Sequence, residues 1–421
     1  MTESATRPAK MPTDRLPEAS PALLRDGYRF ISKRCDRLHT DVFETRLLFE
    51  RTVCLRGEET ARLFYDTERF VRARAAPGRL QKTLLGVGGV QGLDGEQHRH
   101  RKALHMSLMS PAEVRRLADL SAAEWRSYAR RWEGRKKVVL FDEVNELLCA
   151  AVCRWAGVPL GRGELSHRTA QLTAIIDSPA ALGPRYLRGR WSRLRPNAWA
   201  AGLIKRVRRG RLCPPEGSAL AKIAAYREDG APLKAHDAAV ELLNVLRPTV
   251  AVGRYVAFAA LALHENPRCR ELLGRGQEGY DRLFVQEVRR FYPFFPFAAA
   301  RVRKTFTWRG LRFPQGRRVL LDLYSTNHDP AVWGRPDAFI PERFYEWDGS
   351  PYNFIPQGGG EHYGGHRCAG EWITISLLET AVSFLARSLR YTVPPQPLRV
   401  SLSRMPAEPR SRFVIRDVRL N

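Results

Sequence analysis

The pattern of apolar positions predicts a mainly helical protein. The stretch from residue 236 to residue 266 is apolar around most of a helical circumference until Pro267 ends it, which predicts a buried central helix. A second apolar-periodic stretch, residues 371–389, predicts another buried helix. Between Ser110 and about Ala225 the apolar residues again recur with helical spacing. Helices are therefore expected to form most of the core.

A smaller β portion is predicted in three regions. Residues Val42–Cys54 are rich in β-forming side chains and predict two short strands, residues 300–323 alternate as paired strands do, and residues 398–418 predict a terminal hairpin. No repeat or low-complexity linker divides the chain after residue 20. We expect residues 1–20, which are polar and proline-rich, to form a disordered leader. Residues 21–421 then make one domain.

Cysteine usage and charge add two constraints. The seven cysteines are odd in number and scattered, which favours reduced thiols in a cytoplasmic protein over a disulfide framework. No apolar run approaches the roughly 20 residues that a membrane span needs. The formal net charge is +26, and ten arginines or lysines but no acid lie between Gly183 and Pro215. Nucleic acid or an anionic surface would bind such a patch, but we favour a solvated basic face.

One cysteine stands in a distinctive context. Cys368 lies in the glycine-dense stretch Phe354–Gly370, immediately before the predicted helix at residues 371–389. Unpaired backbone N–H groups and the positive end of the helix dipole favour a thiolate at such a position, and glycines allow a flat, bulky group to approach the backbone. A thiolate there suits an iron ligand. The alternative is a buried free cysteine behind a flexible loop.

The predicted central helix contains two residues that are unfavourable there. Pro248 removes a backbone hydrogen bond at a cost of ~3 kcal/mol or more. A buried Arg247 costs more still unless it meets an anion. Arg247 either faces solvent, pairs with an internal acid, or binds the carboxylate of a ligand. The neighbouring helical positions offer no acid, which favours a ligand carboxylate.

Four elements together resemble the cytochrome P-450 family of haem-thiolate proteins, over the chain from about Asp41 to its end. They are the helix with Glu287 and Arg290, the PERF motif at 341–344, the Cys368 loop and the helix after it. The chain is most similar to the bacterial branch of peroxide-driven fatty-acid hydroxylases and decarboxylases. That similarity rests on the segments QGGGEHYGGHRCAGEW, LLNVLRPTVAV, VQEVRRFYPFFPF and GVQGLDGEQHRHRK.

The resemblance implies a single-domain cytochrome P-450 fold, mainly α with a small β portion and a long central helix over a haem b. It implies that Cys368 is the axial ligand of the haem iron. It further implies that His366, His98 and either Arg101 or Lys102 contact the haem propionates. Glu287, Arg290 and Arg343 resemble the family's structural triad. We expect these three to brace the cysteine side rather than to take part in catalysis.

On the other side of the haem, the resemblance implies that Arg247 binds a fatty-acid carboxylate. That carboxylate then serves as the acid–base group for hydrogen peroxide, and Pro248 opens room above the haem. Gln91, Leu85 and Phe294 are expected to line the pocket, although plain packing explains them as well. The expected product is a 2- or 3-hydroxy fatty acid, with decarboxylation to a terminal alkene as a side reaction.

Two other functions compete with this one. The first is a conventional monooxygenase that uses dioxygen and an electron-transfer partner. The second is a non-catalytic haem or nucleic-acid binder that uses the basic segment 183–215. We favour the peroxide-driven enzyme, with a fatty acid and hydrogen peroxide as its partners and without an obligatory redox partner, nucleic acid or membrane span. Arg247-Pro248 replaces the acid–alcohol pair of ordinary family members, and the cysteine loop is longer than theirs.

Overall fold

A computed structural model describes residues 9–161, 163–177 and 184–421, without the side chains of residues 184–192. The helices within these ranges are α1 Ser20–Asp26, α2 Phe30–Leu38, α3 Glu58–Phe64, α4 Gly78–Leu80, α5 Gly95–Met106, α6 Pro111–Trp132, α7 Leu140–Trp155, α8 Glu164–Asp177, α9 Pro184–Arg208, α10 Ala219–Ala225, α11 Ala235–Glu265, α12 Pro267–Gly274, α13 Tyr280–Phe291, α14 Leu323–Thr326 and α15 Glu371–Ser383. The strands are β1 Val42–Leu47, β2 Glu50–Leu55, β3 Phe70–Val71, β4 Val138–Val139, β5 Arg227–Glu228, β6 Ala231–Pro232, β7 Phe297–Val302, β8 Phe306–Trp308, β9 Leu311–Phe313, β10 Arg318–Asp322, β11 Leu389–Thr392 and β12 Val414–Leu420. Short 3-10 or π turns lie at Gly27–Arg29, Gln81–Leu85, Val90–Gly92, Pro341–Tyr345 and Phe384–Ser388.

Helix α11 is the centre of the helical part, as the apolar pattern predicts. It runs for 31 residues and packs against α7, α8, α9 and α15. By length and composition α11 would be able to cross a membrane, but 89% of its most apolar window is buried inside the protein. The helix continues through Pro248. Because helices surround it, α11 has few positions left for solvent-facing polar side chains.

The main sheet has the strand order β1-β2-β10-β7-β3. Strands β2 and β10 are parallel and the other neighbours are antiparallel. All five residues of β10 are buried, because β2 and β7 cover its edges and apolar side chains cover its faces. The two strands predicted within Val42–Cys54 and the paired strands predicted within 300–323 are confirmed. The predicted fold class, mainly helical with a small β portion, is confirmed as well.

The C-terminal hairpin predicted at residues 398–418 is wrong. Strand β12 pairs with β11 and β4, and within the tail only one isolated bridge joins Val400 to Pro409. Proline lacks the N–H that a strand ladder needs, and this segment contains Pro406 and Pro409. The last strand therefore finds its partners outside the tail.

The structure also differs from the predicted disordered leader. Residues 1–8 lie outside the described residues, but from Ala9 onward the segment packs on the sheet. The backbone N–H of Ala9 donates to Gly310 O at 2.8 Å. The buried carboxylate of Asp14 accepts from Arg34 Nε and from Arg37 Nη2, each at 2.7 Å. Composition alone missed these ion pairs, which fix the segment in place.

The contact between α11 and α7 gives a test of how tightly the core is packed. A Cβ at Gly253 of α11 would overlap with the buried Asn145 side chain of α7. We expect Gly253→Ala to lower the free energy of unfolding by ~1–3 kcal/mol, because the overlap forces either helix to shift. Urea denaturation of the purified protein measures the change.

Gly202→Ala is the matched control. Gly202 is a helical glycine of α9, and among the described residues no atom outside its own helix backbone lies within 4 Å of the position that a Cβ would take there. At this site the substitution is expected to raise stability by ~0.5–1 kcal/mol through helix propensity alone. Equal effects of the two substitutions would contradict close packing between α7 and α11.

Candidate active site

The Cys368 loop is held in place by short polar contacts to the start of α15. The backbone N–H of Cys368 donates to Gln357 O at 3.3 Å, and the Gln357 amide Nε2 lies 3.9 Å from the sulfur. The same amide donates to Thr374 Oγ1 at 3.0 Å, one turn into α15. Cys368 itself is partly accessible to solvent, although Gln357 and α15 surround it. Cys368 is therefore not fully enclosed by the packed core.

Three of the glycines in this loop serve protein packing. A Cβ at Gly358 or Gly360 would lie 3.1 Å from the side chain of Tyr65, and both residues have a positive φ, +89° and +79°. A Cβ at Gly359 would lie 2.5 Å from Ile355 Cγ2. The flat group that these glycines admit is thus the Tyr65 ring, which follows α3. The sequence predicted the close approach and missed this partner.

The added length of the loop forms a compact turn around Glu361. Its carboxylate accepts from the backbone N–H groups of Tyr363 at 2.6 Å and Gly365 at 2.9 Å, and it also contacts the N–H of Gly364. Burial raises the pKa of Glu361, but these N–H donors and Lys102 outweigh burial and lower it. The turn is therefore closed by its own side chain.

The electrostatics at Cys368 differ from the simple expectation of a low thiol pKa. Burial and the nearby Glu371 carboxylate raise the pKa of Cys368, while Lys102 and the backbone N–H of Gly370 lower it less. The helix N-terminus alone does not offset burial here. A thiolate at this position therefore needs a further positive charge next to the sulfur, such as a coordinated metal ion.

Glu371, the first residue of α15, joins the cysteine loop to α13. Its carboxylate contacts Arg289 of α13 and accepts from Arg367 Nε at 2.6 Å. Burial raises the pKa of Glu371, but the two guanidinium groups outweigh burial and lower it to about 2. Arg289 was not predicted as a site residue. Its position next to Arg290 in the sequence is the feature from which a site role could have been predicted.

Glu287, Arg290 and Arg343 form a buried cluster, as the family resemblance implies. Arg290 binds both carboxylate oxygens of Glu287 at 2.7 and 2.8 Å, and Arg343 Nε donates to the same carboxylate at 3.3 Å. The Ile340 backbone N–H donates to it at 2.8 Å. The cluster joins α13 to the PERF turn, Pro341–Tyr345, and has no free acceptor for a ligand. Its geometry is therefore that of a structural cluster that links α13 to the PERF turn.

A group of basic side chains lies beside the cysteine loop. The imidazole rings of His98 and His366 have centroids 3.9 Å apart and are tilted by 31°. Lys102 Nζ donates to Gly365 O at 3.1 Å and contacts Arg367 O. Arg72, which the sequence prediction missed, is buried next to them and donates to Ala299 O at 2.8 Å. Burial first and then His366 and Lys102 lower the pKa of His98 to about 3. Among the described residues, the carboxylate in contact with this group is Asp94, 3.7 Å from His366 Nε2.

Arg101 does not belong to this group of basic side chains. Its guanidinium binds Glu228 at 2.7 and 2.8 Å and Glu241 of α11 at 2.8 Å. Lys102 lies on a different face of α5 and donates to the cysteine loop at Gly365 O. The sequence left open which of the two faces the cofactor, and the geometry favours Lys102. Arg101 is instead an internal ion-pair residue.

Arg247 is buried on α11. Its Nη1 contacts Leu84 O in the turn Gln81–Leu85, and its Nη2 lies 3.4 Å from Asn244 Oδ1. Burial and the cation Arg193 lower the pKa of Arg247 to about 9, with Cys368 acting in the opposite direction. Among the described residues, no carboxylate contacts this guanidinium. The buried charge is therefore left without a counter-ion.

Gln91 is connected to Arg247 through Asn244. Asn244 Nδ2 donates to Gln91 Oε1 and to Glu241 Oε2, each at 3.1 Å. Glu241 in turn accepts from the Val90 N–H at 2.9 Å, and its carboxylate pairs with Arg101 and His105. Asn244 was missed by the sequence prediction, although a polar residue three positions before Arg247 on the same helix is a readable signal.

Leu85 and Phe294 lie at the margins of this region. Leu85 is half-buried in the turn that contacts Arg247. Phe294 stacks on Tyr255 of α11 with ring centroids 4.3 Å apart. Its carbonyl also accepts from the Tyr28 hydroxyl at 2.7 Å, so the Phe294 backbone has a structural role.

Comparison with known proteins decides the family. A family model described as cytochrome P-450 matches residues 280–405. Cytochrome P450SP alpha (CYP152B1) superposes with a TM-score of 0.94 at 49% identity, over 96% of this chain and 100% of that chain. The chain belongs to the cytochrome P-450 family. Cytochrome P450EX alpha (CYP152N1), solved with myristic acid, gives a TM-score of 0.95 at 46% identity, over 98% of this chain and 100% of that one.

Three further members of the cytochrome P-450 family have a lower sequence identity to this chain. A variant of cytochrome P-450 OleT in complex with arachidonic acid gives a TM-score of 0.95 at 35% identity, over 98% of this chain and 99% of that one. Cytochrome P-450 4A10 of Mus musculus is 32% identical over 37% of this chain and 32% of its own length. Cytochrome P-450 4A7 of Oryctolagus cuniculus is 28% identical over 57% and 47%. The matched segments thus span a third to a half of these curated relatives.

Cytochromes P-450 bind haem b, and the residues of this chain fit that cofactor. Cys368 is partly accessible, and Arg72, His98, Lys102 and His366 lie beside its loop with one contacting carboxylate, Asp94. The positive charge of Arg72 and Lys102, together with the ring N–H groups of the two histidines, suits the two propionates of a haem. The donor set and the charge balance therefore agree.

The buried Glu287 cluster can be tested by removing its carboxylate. We expect Glu287→Ala to lower the free energy of unfolding by ~3–5 kcal/mol, because Arg290 is left as an uncompensated buried charge. Thermal unfolding and the haem content of the purified protein are the measurements.

Glu271→Ala provides the control, because Glu271 pairs with Arg275 on the exposed surface of α12. That surface pair is worth ~0.5 kcal/mol or less. If Glu287→Ala is no more destabilising than Glu271→Ala, the bracing role of the cluster is wrong.

Proposed function

We propose that this cytochrome P-450 is a fatty-acid peroxygenase. It uses hydrogen peroxide to hydroxylate a fatty acid at the α or β carbon, with decarboxylation to a terminal alkene as a side reaction. The observation that carries the proposal is the buried guanidinium of Arg247, which has no carboxylate partner among the described residues. The similar structures solved with myristic and arachidonic acids support a fatty acid as the missing anion.

Cys368 is proposed as the axial ligand of the haem iron. Lys102, His98 and His366, together with Arg72, are proposed to bind the propionates, and Arg101 is not. The bound haem supplies the oxygen-transfer chemistry, which a thiolate ligand favours. Glu287, Arg290 and Arg343 act through the position of the loop and α13, without contact to the reacting atoms.

Arg247 is proposed to bind the substrate carboxylate and thereby place Cα and Cβ at the reacting centre. The polar groups of α11 near it are already engaged. Glu241 is held in ion pairs with Arg101 and His105, and Thr249 Oγ1 donates back to Val245 O at 3.0 Å. With no free acid–alcohol pair in the described part of α11, the substrate carboxylate is the group that takes up and returns the peroxide proton. Oxidant activation then depends on bound substrate.

The remaining pocket residues have positioning roles in this proposal. Gln91 is held by Asn244 and cannot donate a proton as an acid, which favours hydroxylation over alkene formation. Leu85 and Phe294 limit where the alkyl chain runs. Pro248 follows Arg247 directly and is proposed to kink α11 and thereby open room above the haem.

Partners and location follow from the same proposal. Hydrogen peroxide and a fatty acid suffice, so no redox partner is needed. The exposed arginines and lysines of α9 are proposed as a solvated face rather than a nucleic-acid site, and Gly183 itself lies outside the described residues. All seven cysteines are free, which supports a cytoplasmic location.

Turnover with different oxidants tests the reaction type. Purified holoprotein with a panel of saturated fatty acids and hydrogen peroxide should yield 2- or 3-hydroxy acids, detected by mass spectrometry. Dioxygen with NAD(P)H and a reductase system should give no more product than the same mixture without reductase. Product formed only in the reductase system would favour the conventional monooxygenase and overturn the proposal.

Removal of the guanidinium tests the anchor. Arg247→Ala is expected to lower peroxide-driven kcat/KM by about a thousandfold or more, because binding and proton transfer both lose the held carboxylate. Arg247→Lys should restore part of the activity, since it keeps the charge without the planar fork. The ferrous–CO spectrum should remain that of a haem thiolate in both variants, whereas Cys368→Ala should abolish it. Near wild-type turnover by Arg247→Ala would contradict the anchor.

A further inference from the structure

A second arginine is buried next to Arg247. Arg193 belongs to α9 and lies within the basic segment 183–215, but its side chain points inward and is 2% exposed. Its Nη1 donates to Leu84 O at 2.7 Å, the same carbonyl that Arg247 Nη1 contacts. Its Nε donates to Asn197 Oδ1 at 3.0 Å. Two guanidinium groups from different helices therefore meet at one oxygen atom.

The charge at this point is unbalanced. No carboxylate contacts Arg193 or Arg247 in the ranges that the structure describes, and the Nη2 of Arg193 is buried without a hydrogen-bond partner. Burial lowers the pKa of Arg193 to about 10, and Arg193 adds to the effect of burial on Arg247. Arg193 Nη1 also donates to Thr83 O at 3.3 Å, so the acceptors of both guanidinium groups are neutral carbonyl and amide oxygens. Neutral acceptors do not compensate two buried cations, whereas an anion between them would.

The loop before Gln91 is shaped to admit the Arg193 guanidinium. Gly86 has φ +86°, and a Cβ there would collide with Arg193 Nη2 and lie 2.5 Å from Val240 Cγ1 of α11. The unpartnered nitrogen thus occupies space that any other residue at position 86 would fill. It lies between Gly86 and Val240 of α11.

We propose that Arg193 is a second substrate-binding residue, which binds the carboxylate of the fatty acid together with Arg247. The proposal rests on the fatty-acid function proposed above. A carboxylate has two oxygens with about four acceptor sites, so it can satisfy one guanidinium from α11 and another from α9 at the same time. The unpartnered Nη2 of Arg193 supplies a donor for it.

This arrangement changes what recognition of the substrate requires. An acid joins α9, the turn Gln81–Leu85 and α11 through one ionic centre, whereas a neutral alkyl ligand leaves two cations unpaired. Discrimination between an acid and the corresponding alcohol is then larger than a single arginine provides. The alternative is that Arg193 only fastens α9 to the turn through Leu84 O, a contact that any ligand would need equally.

Binding of a charged and a neutral probe to the holoprotein separates these two roles. Isothermal titration calorimetry with tetradecanoate and with tetradecan-1-ol gives Kd for wild type and for Arg193→Gln. We expect Arg193→Gln to raise Kd for tetradecanoate about ten- to a hundredfold, the range for a charged hydrogen bond, and to change Kd for the alcohol about twofold or less. Arg193→Lys should fall between, because it keeps the charge but not the fork.

Arg195→Gln is the matched control. Arg195 is on the same helix, two residues away, and is exposed, so its loss changes the net charge equally without touching the buried site. It should leave both Kd values unchanged. Thermal unfolding and haem content show whether each variant is folded, and Arg193→Lys serves as the test if Arg193→Gln is not.

The outcomes are distinct. A selective loss of tetradecanoate binding supports the second anchor. Equal loss of binding for the acid and the alcohol would mean that Arg193 only fastens α9, and would overturn the second anchor. An unchanged Kd for tetradecanoate would overturn it as well. If wild-type protein binds the alcohol as tightly as the acid, the fatty-acid function itself fails, and Arg193 loses its proposed role with it.

Discussion

Uncompensated positive charge inside the protein is the constraint on which the site depends. Helix α11 buries Arg247 beside a neutral carbonyl, and α9 brings Arg193 to the same oxygen. Several other buried arginines meet carboxylates, as Arg290 meets Glu287 and Arg101 meets Glu241. The interior can therefore pair its charges, but beside Leu84 O it brings together two arginines that no carboxylate of the described residues contacts.

The cysteine side of the site follows a different rule, because there many polar groups pair within the protein. Glu371 ties the cysteine loop to α13, and Gln357 ties Cys368 to α15. Glu361 closes the loop turn through backbone N–H groups. The cysteine side is thus cross-linked by the protein's own side chains, whereas no carboxylate of the described residues contacts Arg193 or Arg247. This contrast suits an enzyme whose oxidant is activated only with substrate bound.

Much of the fold was readable from the sequence because it depends on local patterns. The apolar circumference of α11 and the alternation in β7 and β10 each predicted the observed element. The family resemblance located the Glu287 cluster, although its structural role there stays a prediction. The failures involve contacts between distant segments. The proline-rich tail pairs outside itself, and Asp14 finds Arg34 and Arg37.

The same limit explains the site residues. Arg247 was identified because a buried cation in an apolar helix is conspicuous along the chain. Arg193 was hidden among nine other basic residues of segment 183–215, where only the inward direction of its side chain sets it apart. Asn244 and Arg289 each lie close in sequence to a predicted site residue, whereas Arg72 needed the positions of neighbouring segments. Arg101 and Lys102 are adjacent in sequence, so only the orientation of α5 separates an ion-pair residue from one that faces the cysteine loop.

The packing of Tyr65 against Gly358 and Gly360 has a consequence for how this protein can change over time. A side chain at either glycine is tolerated only if the tyrosine ring becomes smaller or moves, and a larger ring would push the loop away from α3. Substitutions at these positions are therefore epistatic, although some 290 residues separate them in the sequence. The position of Cys368 therefore depends on its own loop and on Tyr65 together.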